Sequence, residues 1–122
     1  MLEKALILAA KAHTGQVDKG GAPYILHPIR VMLACEGEKE KIVALLHDTL
    51  EDTALTAADL RRAGFSEEIV QAVCCLTRGQ KEDYMDYIAR ICENALAARV
   101  KYADLQDNLD ISRIPNPTEK DF

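Results

Sequence analysis

Several residue types are scarce in this chain of 122 residues, and each scarcity excludes a class of protein. Tryptophan is absent and aromatic residues make up only 5% of the chain, so the core must be aliphatic. Lys and Arg number 15 against 20 Asp and Glu, which gives a net charge of −5. That balance argues against a general nucleic-acid binder, whose phosphate contacts need a basic face. A small anionic substrate is still compatible if a metal ion or a few placed cations receive it.

Long hydrophobic segments are also missing. No apolar run approaches the roughly 20 residues that span a bilayer, and the N-terminal residues lack the features of a signal peptide. The four cysteines, Cys35, Cys74, Cys75 and Cys92, have no CxxC spacing, and the two adjacent ones would bridge poorly. We therefore expect reduced core cysteines in a cytoplasmic protein that has no membrane partner.

Apolar sequence with helical periodicity is abundant. The apolar fraction of 48% suffices for one core, and 122 residues are too few for two independent cores. No β-type alternation longer than a few residues occurs, so we expect an all-α single domain over residues 1–122 with six or seven helices. The periodicity predicts helices over residues 2–14, 27–35, 38–52, 56–62, 82–93 and 95–112, and a further helix that opens at Ser66.

Local signals predict several helix ends and faces. Residues 2–14 are apolar almost all round, which is typical of a buried helix. Pro28 suits the first helical position, which puts His27 at the cap with its side chain available. Thr56 is expected to cap a short helix that stops at Gly64. The predicted core stripes consist of Ile42, Leu45, Leu46 and Leu50 on one helix and Ile69, Val70 and Val73 on another.

The residues suited to chemistry begin with a histidine–aspartate pair inside an aliphatic helical stripe. A charged pair such as His47 and Asp48 is costly there unless something compensates it. Glu51 follows His47 by four residues and Asp52 follows Asp48 by four, so one imidazole and three carboxylates share adjoining faces of two turns. The spacing fits a functional site and fits a solvated acidic helix end equally well.

The last predicted helix also places polar residues one turn apart. Asp104 and Asn108 are four residues apart, and Lys101 stands one turn before Asp104. We interpret Asp107 and Asp110 as ordinary surface acids.

A histidine cap, a histidine–aspartate pair and a distant aspartate would form a site with two nitrogen and two oxygen ligands. Such a ligand set, without thiolate, suits Mn²⁺, Fe²⁺, Mg²⁺ or Zn²⁺.

The order of these motifs resembles that of the HD-superfamily metal phosphohydrolases. The chain looks most like the hydrolase domain of the RelA/SpoT family and the small stand-alone alarmone hydrolases. The resemblance covers residues 9–113, and the stretches AHTGQ at 12–16 and KGGAPYILHP at 19–28 are absent from generic HD proteins. It implies a compact HD-domain helical bundle and a reaction that removes pyrophosphate from the 3′ position of ppGpp or pppGpp.

The resemblance also implies roles for individual residues. The family's metal ligands fall on His27, His47, Asp48 and Asp104, its catalytic pair on Glu51 and Asp52, and its substrate-contacting asparagine on Asn108. The family's metal is usually Mn²⁺, so we expect one divalent cation, with Fe²⁺, Mg²⁺ and Zn²⁺ as alternatives. We expect Lys19 and Lys101 to offset phosphate charge, while Tyr24 either lines the pocket or belongs to the core. We interpret His13 as a hydrogen-bonded residue at a helix end, near the loop, and not as a ligand.

Departures from the family pattern bear on the substrate. Asp18 stands where the alarmone hydrolases carry an arginine that helps to hold the nucleotide. The segment between Thr77 and Asn94 is shorter than in long family members, and the usual closing helix is absent from the sequence. Residues 116–122 look like a cap and first turn with Thr118 as N-cap, so either the protein stops there or a C-terminal helix has been removed.

Two alternatives to a ppGpp hydrolase therefore stay open. The first is an HD phosphohydrolase that acts on another nucleotide, such as NADPH or a nucleoside polyphosphate. The second is a module that binds a nucleotide without turning it over. The sequence does not indicate an oligomeric state.

Overall fold

The structure is a computed structural model that describes residues 1–109. Within that range every regular element is a helix, which confirms the all-α prediction. The elements are α1 (Leu2–Ala12), α2 (Leu26–Ala34), α3 (Glu38–Leu46), α4 (Thr49–Asp52), α5 (Ala57–Arg62), α6 (Glu67–Cys75), α7 (Tyr84–Cys92) and α8 (Ala95–Asn108), of which α4 is a single turn. The predicted extension of the last helix to residue 112 and the predicted cap at Thr118 lie outside the described residues.

Helix α3 is the centre of the core. Its residues Ile42, Val43, Ala44, Leu45 and Leu46 are all buried, and α1, α2, α6 and α8 pack around it. Burying one aliphatic side chain of this size stabilises the fold by about 1.5–3 kcal/mol. The five consecutive buried residues therefore anchor the end of α3 from which the candidate site extends.

Helix α1 is buried on one face only, so the prediction of a fully buried helix over residues 2–14 is wrong. Ala5 and Ala9 are completely buried, whereas Leu6 and Ile7 are 38% and 57% exposed. The two alanines are four residues apart, and their small side chains allow α1 to pack closely against α3. Larger apolar side chains on the other face stay at the surface, where single apolar residues are common.

Helix α2 begins earlier than predicted. Its N-cap is Ile25, so His27 is the second helical residue and not the cap, and Pro28 is the third. Proline is tolerated there because the first N–H groups of a helix have no acceptor within the helix. The His27 side chain consequently lies in the first turn of α2, where it is buried with 6% of its surface exposed.

The single helix predicted over residues 38–52 is interrupted in the structure. Helix α3 ends at Leu46 and α4 begins at Thr49, with His47 and Asp48 between them. Asp48 has φ −102° and ψ −1°, outside the usual α-helical values. The Thr49 hydroxyl donates to the Leu46 carbonyl at 2.8 Å across the break. The break gives the histidine and the aspartate their own orientation at the end of α3.

The predicted caps of the shorter helices are confirmed. Thr56 and Asp59 form a capping box at the start of α5, and Gly64 follows that helix with φ +96°. Ser66 caps α6 by accepting from the Ile69 N–H. The predicted stripe of α6, namely Ile69, Val70 and Val73, is buried.

The cysteines of the chain are free, and their predicted place in the core is right only in part. Cys35 is buried, Cys74 and Cys75 are partly buried, and Cys92 is exposed. Separately, none of the helices in residues 1–109 combines the length and the apolar character that crossing a membrane requires.

Candidate metal centre

Three parts of the fold bring buried polar side chains to one place. Helix α2 carries His27, the α3–α4 junction carries His47 and Asp48, and α8 carries Asp104. His27, His47 and Asp104 are only 6%, 3% and 5% exposed. We call His27, His47, Asp48 and Asp104 the His–Asp cluster. Buried polar and charged groups are costly unless they are paired or bind an ion, so the cluster needs such compensation.

The facing atoms of the His–Asp cluster are closely spaced. His27 Nε2 lies 2.8 Å and His47 Nε2 lies 3.2 Å from Asp104 Oδ1. Asp48 Oδ2 lies 3.1 Å from His47 Nε2 and 3.9 Å from His27 Nε2. Metal–ligand bonds of about 2.0–2.2 Å place neighbouring ligand atoms about 3–3.5 Å apart. The two histidine nitrogens and Asp104 Oδ1 therefore have spacings that fit a single divalent cation, and Asp48 Oδ2 adjoins both nitrogens.

The outer nitrogen of each histidine is engaged elsewhere. His47 Nδ1 donates to the Ala44 carbonyl oxygen at 2.5 Å, and His27 Nδ1 lies 2.6 Å from Asp107 Oδ2. Because a carbonyl oxygen can only accept, His47 carries a proton on Nδ1, and in the neutral ring Nε2 presents its lone pair to the cluster. A ligand histidine in a metal site commonly donates its other N–H in this way.

Opposite charges compensate one another inside the cluster. Burial lowers the pKa of His47, but the carboxylates of Asp48 and Asp104 outweigh burial and raise the pKa to about 10. Burial raises the pKa of Asp104, but hydrogen bonds from His27 and His47 outweigh it and hold that pKa well below the usual range. The pKa of Asp48 is also lowered, because His47 outweighs the effect of burial. Both carboxylates are therefore ionised at neutral pH and can attract a cation.

Tyr24 contacts the cluster directly. Its hydroxyl donates to Asp48 Oδ2, and its ring centre is 5.7 Å from that of His27. Burial, with the nearby Asp48 carboxylate, raises the pKa of Tyr24, which keeps the phenol protonated and able to donate. Tyr24 is partly buried and lies outside the hydrophobic core. Its place in a substrate pocket stays a prediction.

Two of the predicted substrate-binding residues lie against Asp104. Lys101 Nζ is 3.2 Å from Asp104 Oδ2, and Asn108 Nδ2 donates to Asp104 Oδ1 at 3.4 Å. Burial lowers the pKa of Lys101, but the Asp104 charge outweighs it and raises that pKa, so Lys101 stays a cation. Lys19 lies exposed in the loop between α1 and α2.

The predicted catalytic pair lies beside the cluster on its solvent side. The carboxylates of Asp48, Glu51 and Asp52 each offer an oxygen within 4.8 Å of the others, and Glu51 and Asp52 are exposed. Burial, followed by the charges of Asp48 and Glu51, raises the pKa of Asp52. Glu51 Oε1 accepts from the Arg78 backbone N–H at 2.9 Å. No sequence signal identifies Arg78 as a partner of Glu51, because the contact uses a backbone N–H that any non-proline residue would supply.

His13 stands outside the His–Asp cluster, as predicted. It is the C-cap residue of α1, and its Nδ1 lies 2.9 Å from Gln16 Oε1. Gln16 Nε2 in turn donates to the Asp52 carbonyl oxygen at 3.1 Å. The prediction of a hydrogen-bonded helix-end residue is confirmed, and His13 connects the loop after α1 to α4 through Gln16.

Asp107 is not an ordinary surface acid, so that prediction is wrong. Its side chain is 10% exposed and contacts both His27 and Arg30. Burial raises the pKa of Asp107, but hydrogen bonds from Arg30 and His27 outweigh it and lower the pKa. The available signal was spacing, since Asp107 follows Asp104 by three residues and Arg30 follows His27 by three. Asp110, which was interpreted in the same way, lies outside the described residues.

The helical core carries a histidine on α2, a histidine–aspartate pair at the α3–α4 junction and an aspartate on α8. This arrangement defines an HD-type domain. No family model matches the chain. It is 32% identical over 120 residues to the guanosine-3′,5′-bis(diphosphate) 3′-pyrophosphohydrolase of Aquifex aeolicus. It is 32% identical over 124 residues to the bifunctional (p)ppGpp synthase/hydrolase SpoT of Escherichia coli.

Each of these alignments covers 88% of the chain but only 17% of the relative, so the chain spans a small part of the length of these curated proteins. A solved structure of a metazoan ortholog of SpoT matches with a TM-score of 0.80 and 26% identity. That match covers 96% of this chain and 72% of the other. Fold, motif order and relatives together identify the chain as a RelA/SpoT hydrolase-like HD domain.

Proposed function

We propose that this domain is a metal-dependent phosphohydrolase that removes pyrophosphate from the 3′ position of ppGpp and leaves GDP. The observation that carries the proposal is the position of two exposed carboxylates, Glu51 and Asp52, beside the His–Asp cluster, in which the buried His27, His47 and Asp104 have a spacing that fits a divalent cation. The A. aeolicus relative is named for this reaction, and the metazoan SpoT ortholog is described as hydrolysing ppGpp. Both support the choice of substrate.

The residues proposed to hold the cation are His27, His47, Asp48 and Asp104. Mn²⁺ is the proposed ion, with Fe²⁺, Mg²⁺ and Zn²⁺ as alternatives, because two imidazoles and two carboxylates without thiolate suit these ions. If these residues hold a divalent ion, it would supply polarisation of a phosphoryl oxygen and a lower pKa of bound water. Tyr24 holds Asp48 and the Ala44 carbonyl holds His47, so the protein fixes the direction of both side chains.

The exposed pair is proposed to move protons. Asp52, whose raised pKa makes it a better proton acceptor than an ordinary aspartate, orients or deprotonates the attacking water. The water oxygen forms a bond to phosphorus while the bond between phosphorus and the 3′ oxygen breaks. Glu51 exchanges a proton with the leaving oxygen, and its contact with the Arg78 N–H holds its carboxylate in place.

Cations near the cluster are proposed to receive the phosphate charge. Lys101 is half-buried and stays protonated, so it balances negative charge next to Asp104. Lys19 is proposed to approach from the loop between α1 and α2, and Asn108 to contact the substrate from the last turn of α8. A few local cations are sufficient to receive a polyanion on a protein with a net charge of −5.

The position of Asp18 in the loop between α1 and α2 is the reason to consider a nucleotide other than ppGpp as the substrate. Asp18 Oδ1 accepts from the Gly20 and Ala22 N–H groups at 2.8 and 3.0 Å. The loop therefore has a carboxylate, committed to its own backbone, where the alarmone hydrolases have a nucleotide-binding arginine. NADPH or a nucleoside polyphosphate would be the alternative substrate. A module that only binds is disfavoured, because binding alone does not require Glu51 and Asp52.

A nucleotide panel tests these possibilities. Purified protein is incubated with ppGpp, pppGpp or NADPH in the presence of Mn²⁺ or of a chelator, and products are separated by anion exchange. We expect pyrophosphate and GDP from ppGpp with Mn²⁺ and no product with the chelator. Turnover of NADPH without turnover of ppGpp would contradict the proposed substrate. Binding of ppGpp without turnover under every metal tested would contradict the proposed enzyme.

A further inference from the structure

One carboxylate contacts the His–Asp cluster from outside and has no part in the reaction proposed above. Asp107 lies on α8 one turn after Asp104, and its Oδ2 is 2.6 Å from His27 Nδ1. The side chains of His27 and Asp107 are 7% and 10% exposed, so water hardly competes for this contact. A charge-assisted hydrogen bond of this length is among the stronger ones in proteins.

Arg30 holds the other oxygen of the same carboxylate. Its Nε donates to Asp107 Oδ1 at 2.8 Å, and it lies one turn after His27 on α2. Helix α2 therefore supplies a partner for each oxygen of a carboxylate that belongs to α8. A carboxylate engaged at both oxygens keeps one orientation, and it links the two helices that carry His27 and Asp104.

Carboxylates face both ring nitrogens of His27, Asp107 at Nδ1 and Asp104 at Nε2. When Nε2 presents its lone pair to a cation, the single proton of the neutral ring is on Nδ1, and Asp107 accepts the hydrogen bond that it donates. His47 reaches the same state by donating to the Ala44 carbonyl. The backbone thus orients one histidine and a side chain orients the other, so substitution at Asp107 can alter His27 and leave His47 in place.

We propose that Asp107, held by Arg30, is a positioning residue that sets the tautomer and orientation of His27 toward the divalent cation. The inference rests on the proposed function in one respect, namely that His27 is a metal ligand. Asp107 acts through His27, since its contact is with the ring nitrogen that faces away from the cluster. Outer partners of ligand histidines typically change metal affinity by about 10–100-fold when they are removed.

The experiment measures Mn²⁺ affinity directly, by calorimetry on the full chain, without any substrate. We expect Asp107→Ala to weaken Mn²⁺ binding by about 10–100-fold. Arg30→Ala should weaken it less, and Arg30→Lys should recover part of that loss. Asp107→Asn preserves shape and covers the case in which the alanine variant does not fold. Glu93→Gln removes an exposed acid at the end of α7 and is the matched control, expected to bind as the wild type does.

Two further measurements separate positioning from a general structural effect. Long-range proton–nitrogen NMR spectra of the metal-free protein at alkaline pH report the tautomer of each histidine. Asp107→Ala should disturb the His27 tautomer and leave that of His47 unchanged. In a His27→Ala background, Asp107→Ala should weaken Mn²⁺ binding no further.

An unchanged Mn²⁺ affinity and an unchanged His27 tautomer in folded Asp107→Ala would overturn the inference. A full additional loss of affinity in the His27→Ala background would also overturn it. If the wild type binds Mn²⁺ with the expected dependence on His27 and Asp107 but hydrolyses no nucleotide, the proposed function fails while the positioning role stands.

Discussion

The His–Asp cluster and the Glu51–Asp52 pair adjoin each other, but they differ in burial. His27, His47 and Asp104 are nearly inaccessible, whereas Glu51 and Asp52 are exposed. In the cluster each side chain has contacts on more than one side, so its orientation is determined by the fold. The exposed pair has fewer constraints and direct access to water. Burial therefore suits residues that hold an ion in one geometry, and exposure suits residues that exchange protons.

The same difference predicts different consequences of mutation. Removing one member of a buried charge pair leaves the other charge without compensation, which costs stability as well as function. Replacing an exposed carboxylate with its amide changes stability little. Variants in the two regions should therefore separate effects on metal binding and folding from effects on catalytic rate.

The largest effect is expected from His47→Ala. Loss of one proposed ligand should abolish Mn²⁺ binding and turnover, and Asp48 and Asp104 would lose their main positive partner in the metal-free protein. We expect a loss of stability of about 3–5 kcal/mol. Calorimetry with Mn²⁺ and urea unfolding measure the two effects. Normal Mn²⁺ affinity in this variant would remove the His–Asp cluster from the proposed site.

Replacement of Glu51 and Asp52 tests whether the exposed pair acts in proton transfer and not in metal binding or folding. Glu51→Gln and Asp52→Asn keep the shape of each side chain and remove the group that titrates. We expect kcat under saturating Mn²⁺ to fall by about 10²–10⁴ for a residue that transfers a proton, while metal and nucleotide still bind. The free energy of unfolding should change by no more than about 0.5 kcal/mol. Wild-type kcat in both variants would exclude the pair from proton transfer.

His13→Ala sharpens the comparison, because His13 is as buried as the cluster but is not part of it. It is 2% exposed, and its contacts are with Gln16 and the Tyr24 ring. We expect Mn²⁺ binding to persist, with a loss of stability of about 1–3 kcal/mol from the removed contacts. Calorimetry and urea unfolding measure both quantities. An equal loss of Mn²⁺ from His13→Ala and His47→Ala would contradict the assignment of ligands.

The smallest effect is expected at the partly exposed ion pair between Glu82 and Arg90, which belongs to neither region. The hydrogen bond from Arg90 is the main cause that lowers the pKa of Glu82 to about 2, from an ordinary value of 4.5. A lowered pKa in the folded state stabilises the protein above the ordinary pKa, and that stabilisation disappears as the pH falls through about 2. Because the pair is screened by solvent, Glu82→Gln should lower Tm by less than about 4 °C at neutral pH.

Thermal unfolding of wild type and Glu82→Gln across a range of pH checks the direction in which the stabilisation by Glu82 changes with pH. The difference in Tm should shrink as the pH falls below the ordinary range of glutamate. A difference that grows toward acidic pH would contradict the assigned direction of the pKa shift.

The helix caps, the helical class and several candidate ligands of this protein can be predicted from local sequence. Thr56 and Ser66 cap their helices as predicted because capping depends on a side chain and a backbone N–H within three residues. The helical class follows from periodicity over long segments. Candidate ligands such as His47 and Asp48 stand out because charged residues inside an aliphatic stripe require compensation, and that conflict is visible without a structure.

Tertiary structure decided the features that depend on contacts between distant segments. The burial of His27 in the first turn of α2 and the exposure of one face of α1 depend on how the helices pack around α3. The interruption of the helix at His47 and Asp48 was likewise not predicted from periodicity. Asp107 is the clearest case, since its partners His27 and Arg30 are 80 and 77 residues away in sequence. Local periodicity predicts which face of a helix a residue occupies. Only the packing of α2 against α8 determines which residues that face contacts.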